Sequence, residues 1–154
     1  MYMKKYLFLF TVLALALAYF FFVYYFFRMP PTAADYAQKD IHVDTTTLVV
    51  DIADTEALRE QGLSGRESLK AGHGMLFIFD RDDLWGIWMK DMNFSIDILW
   101  LAADGTVLTV VPNAAPDSYP QAFYPAKPAR YVVEVPAGWV SAHAVAEGAK
   151  FVLQ

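Results

Sequence analysis

Residues Trp85–Leu101 read WGIWMKDMNFSIDILWL, and the expected architecture follows from them. They place Lys90, Asp91 and Asp97 within the most apolar part of the chain beyond residue 40. Burying a charged group costs several kcal/mol unless the group is paired. These three side chains are therefore predicted either to form a satisfied structural network or to line a site.

A β-hairpin follows directly. The pair Asp104-Gly105 is a strong turn signal, and it joins a predicted strand over residues 95–102 to another over 107–111. Other short runs rich in Val, Ile, Thr and aromatic residues predict further strands, and short helices are expected over 55–61 and 138–147. The fold class predicted from these elements is mainly β, a compact antiparallel sandwich or partly closed barrel with two short helices.

The alternation along the strand sets the environment of Asp97. With a period of two, Asp97 faces the same side as Leu99 and Leu101, so it should be buried and should need a partner. Arg66 and Lys90 are the predicted partners. The alternative interpretation is that these polar groups converge in an open groove.

The N-terminal region carries a second signal. Residues 6–27 contain no charged residue, and as a helix rising about 1.5 Å per residue they are long enough to cross the hydrocarbon core of a bilayer. We interpret them as an uncleaved transmembrane anchor, because cleavage at Ala18 would leave an aromatic, insoluble N-terminus. Lys4 and Lys5 place residues 1–5 in the cytoplasm and the remainder in the periplasm or otherwise outside the cytoplasm.

Beyond the anchor, residues 28–40 predict a linker and residues 41–154 a single domain. Setting aside the three basic residues of the first 28 positions leaves nine basic and seventeen acidic residues, a net charge of −8. Such a surface repels phosphate backbones, so no nucleic-acid partner is expected. The chain has no cysteine and no spaced set of histidines, and it lacks nucleotide-binding motifs, so neither a cofactor nor a metal is expected.

The candidate ligand-binding residues combine charged groups with tryptophan. They are Arg66, Trp88, Lys90, Asp91, Asp97 and Asn113. Polar groups beside exposed aromatic faces are typical of sites for sugars and small polar ligands. Pro112–Pro128 contains five prolines and is predicted to form a lid or a binding rim.

Four blocks of the chain resemble the domain of unknown function 192 (DUF192) family in kind and order. They are GLSGRESL (62–69), GHGMLFIFD (72–80), WMKDMNFSIDILWL (88–101) and YVVEVPAGW with GAKF (131–139 and 148–151). The resemblance covers residues 41–154 and implies a compact, jelly-roll-like β domain, often preceded by a secretion signal or an anchor. It implies no activity. The chain departs from the family pattern at Ser64, Asp91 and Ala149, where the family usually has Met, Asn and Asp.

Together these features predict an extracytoplasmic, non-catalytic binding module for a small polar ligand, a carbohydrate or another envelope component, held at the lipid bilayer by residues 6–27. One alternative is a small hydrolase that uses Asp91 and Asp97 as a carboxylate pair. Another is a partner domain within a membrane protein complex.

Overall fold

The computed structural model describes residues 2–28 and 31–153, and it divides into two units, Met1–Pro31 and Thr32–Gln154. The first unit contains one helix, α1 (Tyr2–Arg28). Among the residues described, no helix combines the length and the apolar character that crossing a membrane requires. The membrane span predicted for residues 6–27 therefore has no support from the structure and stays a prediction.

The second unit begins earlier than the sequence indicates. Of the predicted linker 28–40, Met29 and Pro30 lie outside the described residues, a short 3-10 helix covers Ala33–Asp35, and the first strand already starts at Ala37. Residues 37–40 are all exposed, so the alternation that marks a half-buried strand is missing there. Their place in the sheet depends on pairing with the next strand.

Among its described residues, this unit contains nine strands and two short α-helices, besides two 3-10 helices. In chain order they are β1 (Ala37–Val43), β2 (Thr46–Ala53), α2 (Glu56–Gln61), β3 (His73–Asp83), β4 (Ile87–Trp88), β5 (Ile96–Leu101), β6 (Val107–Ala114), β7 (Ala122–Phe123), β8 (Ala129–Pro136), α3 (Trp139–Ala142) and β9 (Phe151–Val152). The main sheet has the order β6-β5-β8-β3-β2-β1-β9, while β4 and β7 pair separately.

The main sheet curls into a half-barrel, which confirms the prediction of a mainly β fold with few short helices. Of the two predicted forms, a sandwich or a partly closed barrel, this half-barrel corresponds to the second, and β4 and β7 form a small separate two-stranded sheet. All pairs of the main sheet are antiparallel except β2 and β3, which run parallel. A parallel pair needs a crossover connection, and residues 54–72, which include α2, supply it.

Apolar side chains cover both faces of the sheet. The first cluster contains Leu99 and Leu101 of β5, and the second contains Ile96, Ile98 and Trp100 of the same strand. This confirms the predicted alternation, and it explains why every residue of β5 is buried. The central strands thus have cover on both sides.

Some local sequence signals predict the observed elements, and others do not. The hairpin is confirmed: Gly105 N donates to Ala102 O at 2.9 Å, and Thr106 N donates to the Asp104 carboxylate at 3.0 Å. The helix predicted over 138–147 has only four residues, because Ala144 already has a left-handed φ of 52°. Residues 80–83 (DRDD) have a composition typical of a turn, yet they continue β3.

Candidate functional site

Arg66 lies within the crossover and forms an ion pair. Its Nη1 donates to Asp51 Oδ2 at 2.6 Å, and its guanidinium carbon lies 5.1 Å from the ring centroid of Tyr36. Its Nη2 is buried without a hydrogen-bond partner among the described residues. Arg66 therefore does bind a carboxylate, but the carboxylate belongs to Asp51 rather than to Asp97.

Asp97 is fully buried, as predicted, at 0% exposure. Its Oδ1 accepts from Asn113 N at 2.8 Å and from Gly138 N at 3.1 Å, and its Oδ2 accepts from Val140 N at 2.9 Å. The expected pairing with a basic side chain is wrong, because three backbone N–H groups satisfy the carboxylate instead. Asp97 thus joins β5 to the end of β6 and to the start of α3, and Asn113 contributes its backbone to this link.

Lys90 and Asp91 lie at an exposed turn, as expected. Main-chain contacts hold this turn to the crossover: Gly65 N donates to Asp91 O at 2.8 Å, and Ser64 Oγ donates to Lys90 O at 2.9 Å. The Lys90 ammonium lies 5.8 Å from a ring centroid of half-exposed Trp88. The six residues predicted to bind a ligand therefore do not converge in one groove.

A row of polar side chains crosses the sheet on the face of the second cluster. The strand register places Gln38 opposite Asp51, Asp51 opposite Met75, Met75 opposite Glu134, and Glu134 opposite Ile98. Gln38 Nε2 donates to Asp51 Oδ1 at 2.9 Å. Two carboxyl groups thus stand on either side of Met75, with backbones separated by two strand spacings, or roughly 10 Å.

Glu134 is the unusual member of this row. It is 4% exposed, and its carboxyl group has no hydrogen-bond partner among the described residues. Burial raises the pKa of Glu134 from 4.5 to about 8, and the positive charge of Arg66 offsets part of that rise. At neutral pH the carboxyl is therefore mostly protonated, so that it can both donate and accept a hydrogen bond.

Glu134 lines a cavity of about 430 Å³. The walls are largely apolar and come from Leu63, Phe77, Phe79, Ile87, Met92 and Ile96, with Trp88 at the side. Glu56, Arg59 and Glu60 border the cavity from α2. Mostly apolar walls with a few convergent polar groups are the usual composition of a small-molecule site, and the volume lies within the usual range.

Arg59 contributes a cation to this border, but its hydrogen bonds are directed elsewhere. Its Nη1 donates to Asp54 O at 2.6 Å and to Ile78 O at 2.8 Å, and its guanidinium lies 5.3 Å from the ring centroid of Phe79. Glu56 lies three residues before Arg59 on α2, a spacing that favours ion pairs on helices. The two residues nevertheless form no ion pair. Arg59 thus fastens α2 to β3.

The proline-rich segment 112–128 supports one side of the cavity. Its strand β7 pairs with β4, placing Phe123 opposite Ile87 and Ala122 opposite Trp88. Ile87 and Trp88 are both lining residues. The segment therefore acts through β4, which fits the prediction of a rim.

Sequence reasoning missed Asp51 and Glu134 as members of a common site. Both carry the signal that singled out Asp97, a carboxylate flanked by apolar residues within a strand. What was missing is the strand order, because β3 lies between β2 and β8 and brings the two carboxyl groups onto one row. Asp97 stands on the opposite face, among residues of the first cluster.

The arrangement suits hydrogen-bonded recognition more than catalysis. Within the described part of the chain, no group of three His, Asp or Glu side chains could hold a metal ion. The carboxylate pair of the hydrolase alternative is not assembled, because Asp91 is exposed at a turn and Asp97 is bound by backbone amides. A buried, protonatable carboxyl within apolar walls remains.

Comparison with family models gives one match, to DUF192, described as "Uncharacterized ACR", over residues 38–153. No match was found among curated proteins.

Solved structures with a similar fold include two bacterial proteins. A crystal structure described as a "putative transcription regulator" from Sinorhizobium meliloti 1021 is 34% identical, with a TM-score of 0.73, and the alignment covers 76% of this chain and 94% of that one. A protein of unknown function from Novosphingobium aromaticivorans DSM 12444 is 23% identical, with a TM-score of 0.72, and the alignment covers 80% and 91%. The second likeness bears on the fold alone.

Proposed function

The chain belongs to the DUF192 family, and we propose that its globular unit, Thr32–Gln154, is a non-catalytic binding module whose small ligand occupies the cavity at Glu134. The observation that carries the proposal is the Glu134 carboxyl group. It is buried, it has no partner among the described residues, and Glu134 lines a cavity of about 430 Å³. A hydrogen bond between a ligand and this carboxyl group would contribute about 0.5–1.5 kcal/mol to binding.

The cavity walls support the same proposal. Phe77, Ile87 and Ile96 are buried and apolar, so they would cover the body of a ligand while Glu134 orients its polar end. This moves the predicted site away from the exposed turn at Lys90 and Asp91. Of the six residues predicted from sequence, Trp88 alone lines the cavity.

The test is a screen of small, water-soluble compounds against the ¹⁵N-labelled full chain by two-dimensional NMR, in a mild non-ionic detergent. We expect at least one compound to shift the amides around Glu134 and Leu63 in a saturable manner. Ser64→Phe should abolish these shifts by filling a wall position of the cavity.

Ser118→Phe is the matched control, because Ser118 is also partly buried and its Oγ also donates to a carbonyl group, while it does not line the cavity. A broad panel without a saturable shift would refute the proposal. So would a Ser64→Phe variant that binds as tightly as the Ser118→Phe variant.

Transcriptional regulation is not extended to this chain from the S. meliloti protein. Beyond residue 28 the chain carries nine basic and seventeen acidic residues, a balance that opposes binding to DNA. A module that binds a small ligand agrees better with this acidic charge than one that binds DNA.

We also propose that residues 6–27 anchor the module to a membrane, with the module outside the cytoplasm. This part is supported by sequence alone, by the charge-free run and by the lysines ahead of it. Protease added to intact spheroplasts should then remove residues 32–154 from the cell surface. Full protection of the module, or its recovery in the soluble fraction, would contradict the anchor and its orientation.

A further inference from the structure

Three glutamate side chains line the cavity. Glu134 is buried, at 4% exposure, whereas Glu56 and Glu60 are exposed on α2. None of the three forms an ion pair within the described chain. The buried side chains of Phe77 and Ile87 contribute apolar walls to the same cavity.

Two guanidinium groups lie near the cavity, and only Arg59 lines it among the described residues. Arg59, the single basic residue that lines it within the described chain, uses its Nη1 on two backbone carbonyl oxygens. Arg66, whose charge acts on Glu134, is paired with Asp51 through Nη1 at 2.6 Å, while its buried Nη2 has no hydrogen-bond partner among the described residues. Arg66 does not line the cavity. An anionic ligand would therefore meet three carboxyl groups and one engaged guanidinium.

From this distribution we infer that the cavity binds a small organic cation, an alkylammonium whose charged head pairs with Glu134 and whose methylene groups lie against the apolar walls. The inference rests on the proposed function and specifies its ligand class. A buried carboxylate is costly alone and stable when paired, so a cationic head compensates the group that the chain leaves without a partner. Pairing converts Glu134 to its ionised form, and the proton leaves to solvent.

Three probes of equal chain length separate charge from shape: n-butylammonium, butanol and butanoate. Each is titrated into the ¹⁵N-labelled full chain at about pH 8.5, with the cavity amides as the readout. We expect n-butylammonium to bind at least about 10-fold more tightly than butanol, and butanoate to bind more weakly than either. In Glu134→Gln the preference for the ammonium over the alcohol should fall to within about 3-fold.

Glu147→Gln is the matched control, because Glu147 is exposed and lies outside the cavity. It should leave all three affinities unchanged. A second variant, Glu56→Gln combined with Glu60→Gln, alters only exposed side chains. It should weaken n-butylammonium about 2- to 4-fold at low ionic strength and leave butanol unaffected, since screened charges act weakly.

Equal or tighter binding of butanol or butanoate would overturn the cation assignment while leaving the binding module intact. The absence of any shift with all three probes would also overturn the assignment, and the broader screen then decides the proposed function separately. An ammonium preference that survives in Glu134→Gln would place the cation elsewhere and refute the pairing.

Discussion

Replacing Glu134 by glutamine should change how the stability of the fold depends on pH. The folded-state pKa of about 8 lies above the ordinary value of 4.5, so the folded chain holds this proton more tightly than the unfolded chain does. The stabilisation that comes from this proton is fully present below about pH 4.5 and is lost as the pH rises to about 8. The difference between the two pKa values corresponds to about 5 kcal/mol.

Glutamine keeps the volume of the side chain and cannot ionise. Relative to the wild type, Glu134→Gln should therefore gain stability by up to about 1.4 kcal/mol for each pH unit between those limits, and the gain should level off above about pH 8. The wild type is expected to be the less stable of the two at pH 9. The attraction of Arg66 for the ionised carboxylate is lost in the glutamine variant, and it is already contained in the pKa of about 8.

Urea unfolding of both proteins at several values between about pH 5 and pH 9, with the free energy of unfolding extrapolated to water, measures this difference. Glu147→Gln serves as the reference, because the same chemical change at an exposed site should give a difference that does not vary with pH. If the Glu134→Gln difference is equally flat across this range, the carboxyl is not held protonated by burial and the account of the cavity fails.

Two further substitutions test the frame around the cavity. Asp97→Asn should destabilise the fold by about 3 kcal/mol, because an amide cannot accept from all three backbone N–H groups that the carboxylate satisfies. Thermal unfolding measures the loss, and the control Asp117→Asn, at an exposed position, should cost under about 0.5 kcal/mol. Equal melting temperatures of the two variants would contradict the role of Asp97. Gly105→Ala should lower the free energy of unfolding by about 3 kcal/mol, since its Cβ would collide with the Phe151 carbonyl oxygen. The control Gly138→Ala, at a similar φ of 83° with open space around it, should lower it by only about 1 kcal/mol. Equal losses in urea unfolding would show that the collision is relieved.

Local sequence patterns predicted the features that depend on residues close together along the chain. The Asp104-Gly105 turn and the two faces of β5 follow from turn chemistry and from the period of two, and both are confirmed. The burial of Asp97 follows from the same alternation. Its partners did not follow, because backbone amides are present at every residue and leave no mark in the sequence.

The candidate site was beyond such reasoning because it is non-local. Asp51 and Glu134 lie on one row, on either side of β3, only because of the strand order. The sequence has no regular βα repeat that would predict the parallel pairing of β2 and β3. Arg66 was recognised as a carboxylate partner, yet the choice among buried carboxylates depends on the same strand order. The shape of a cavity likewise depends on which segments pack over the sheet.

The crossover between β2 and β3 divides the cavity into two parts with different freedom to change. Glu134 stands on a central strand, where its neighbours on β3 and β5 restrict substitution, whereas Glu56, Gly62 and Ser64 belong to a connection that has only to span two strand ends. Exchanging residues 54–72 between proteins of this fold would therefore retune ligand choice while the sheet stays as it is. We therefore expect the crossover to tolerate substitution better than the strand that carries Glu134, as loops generally do relative to the elements they connect.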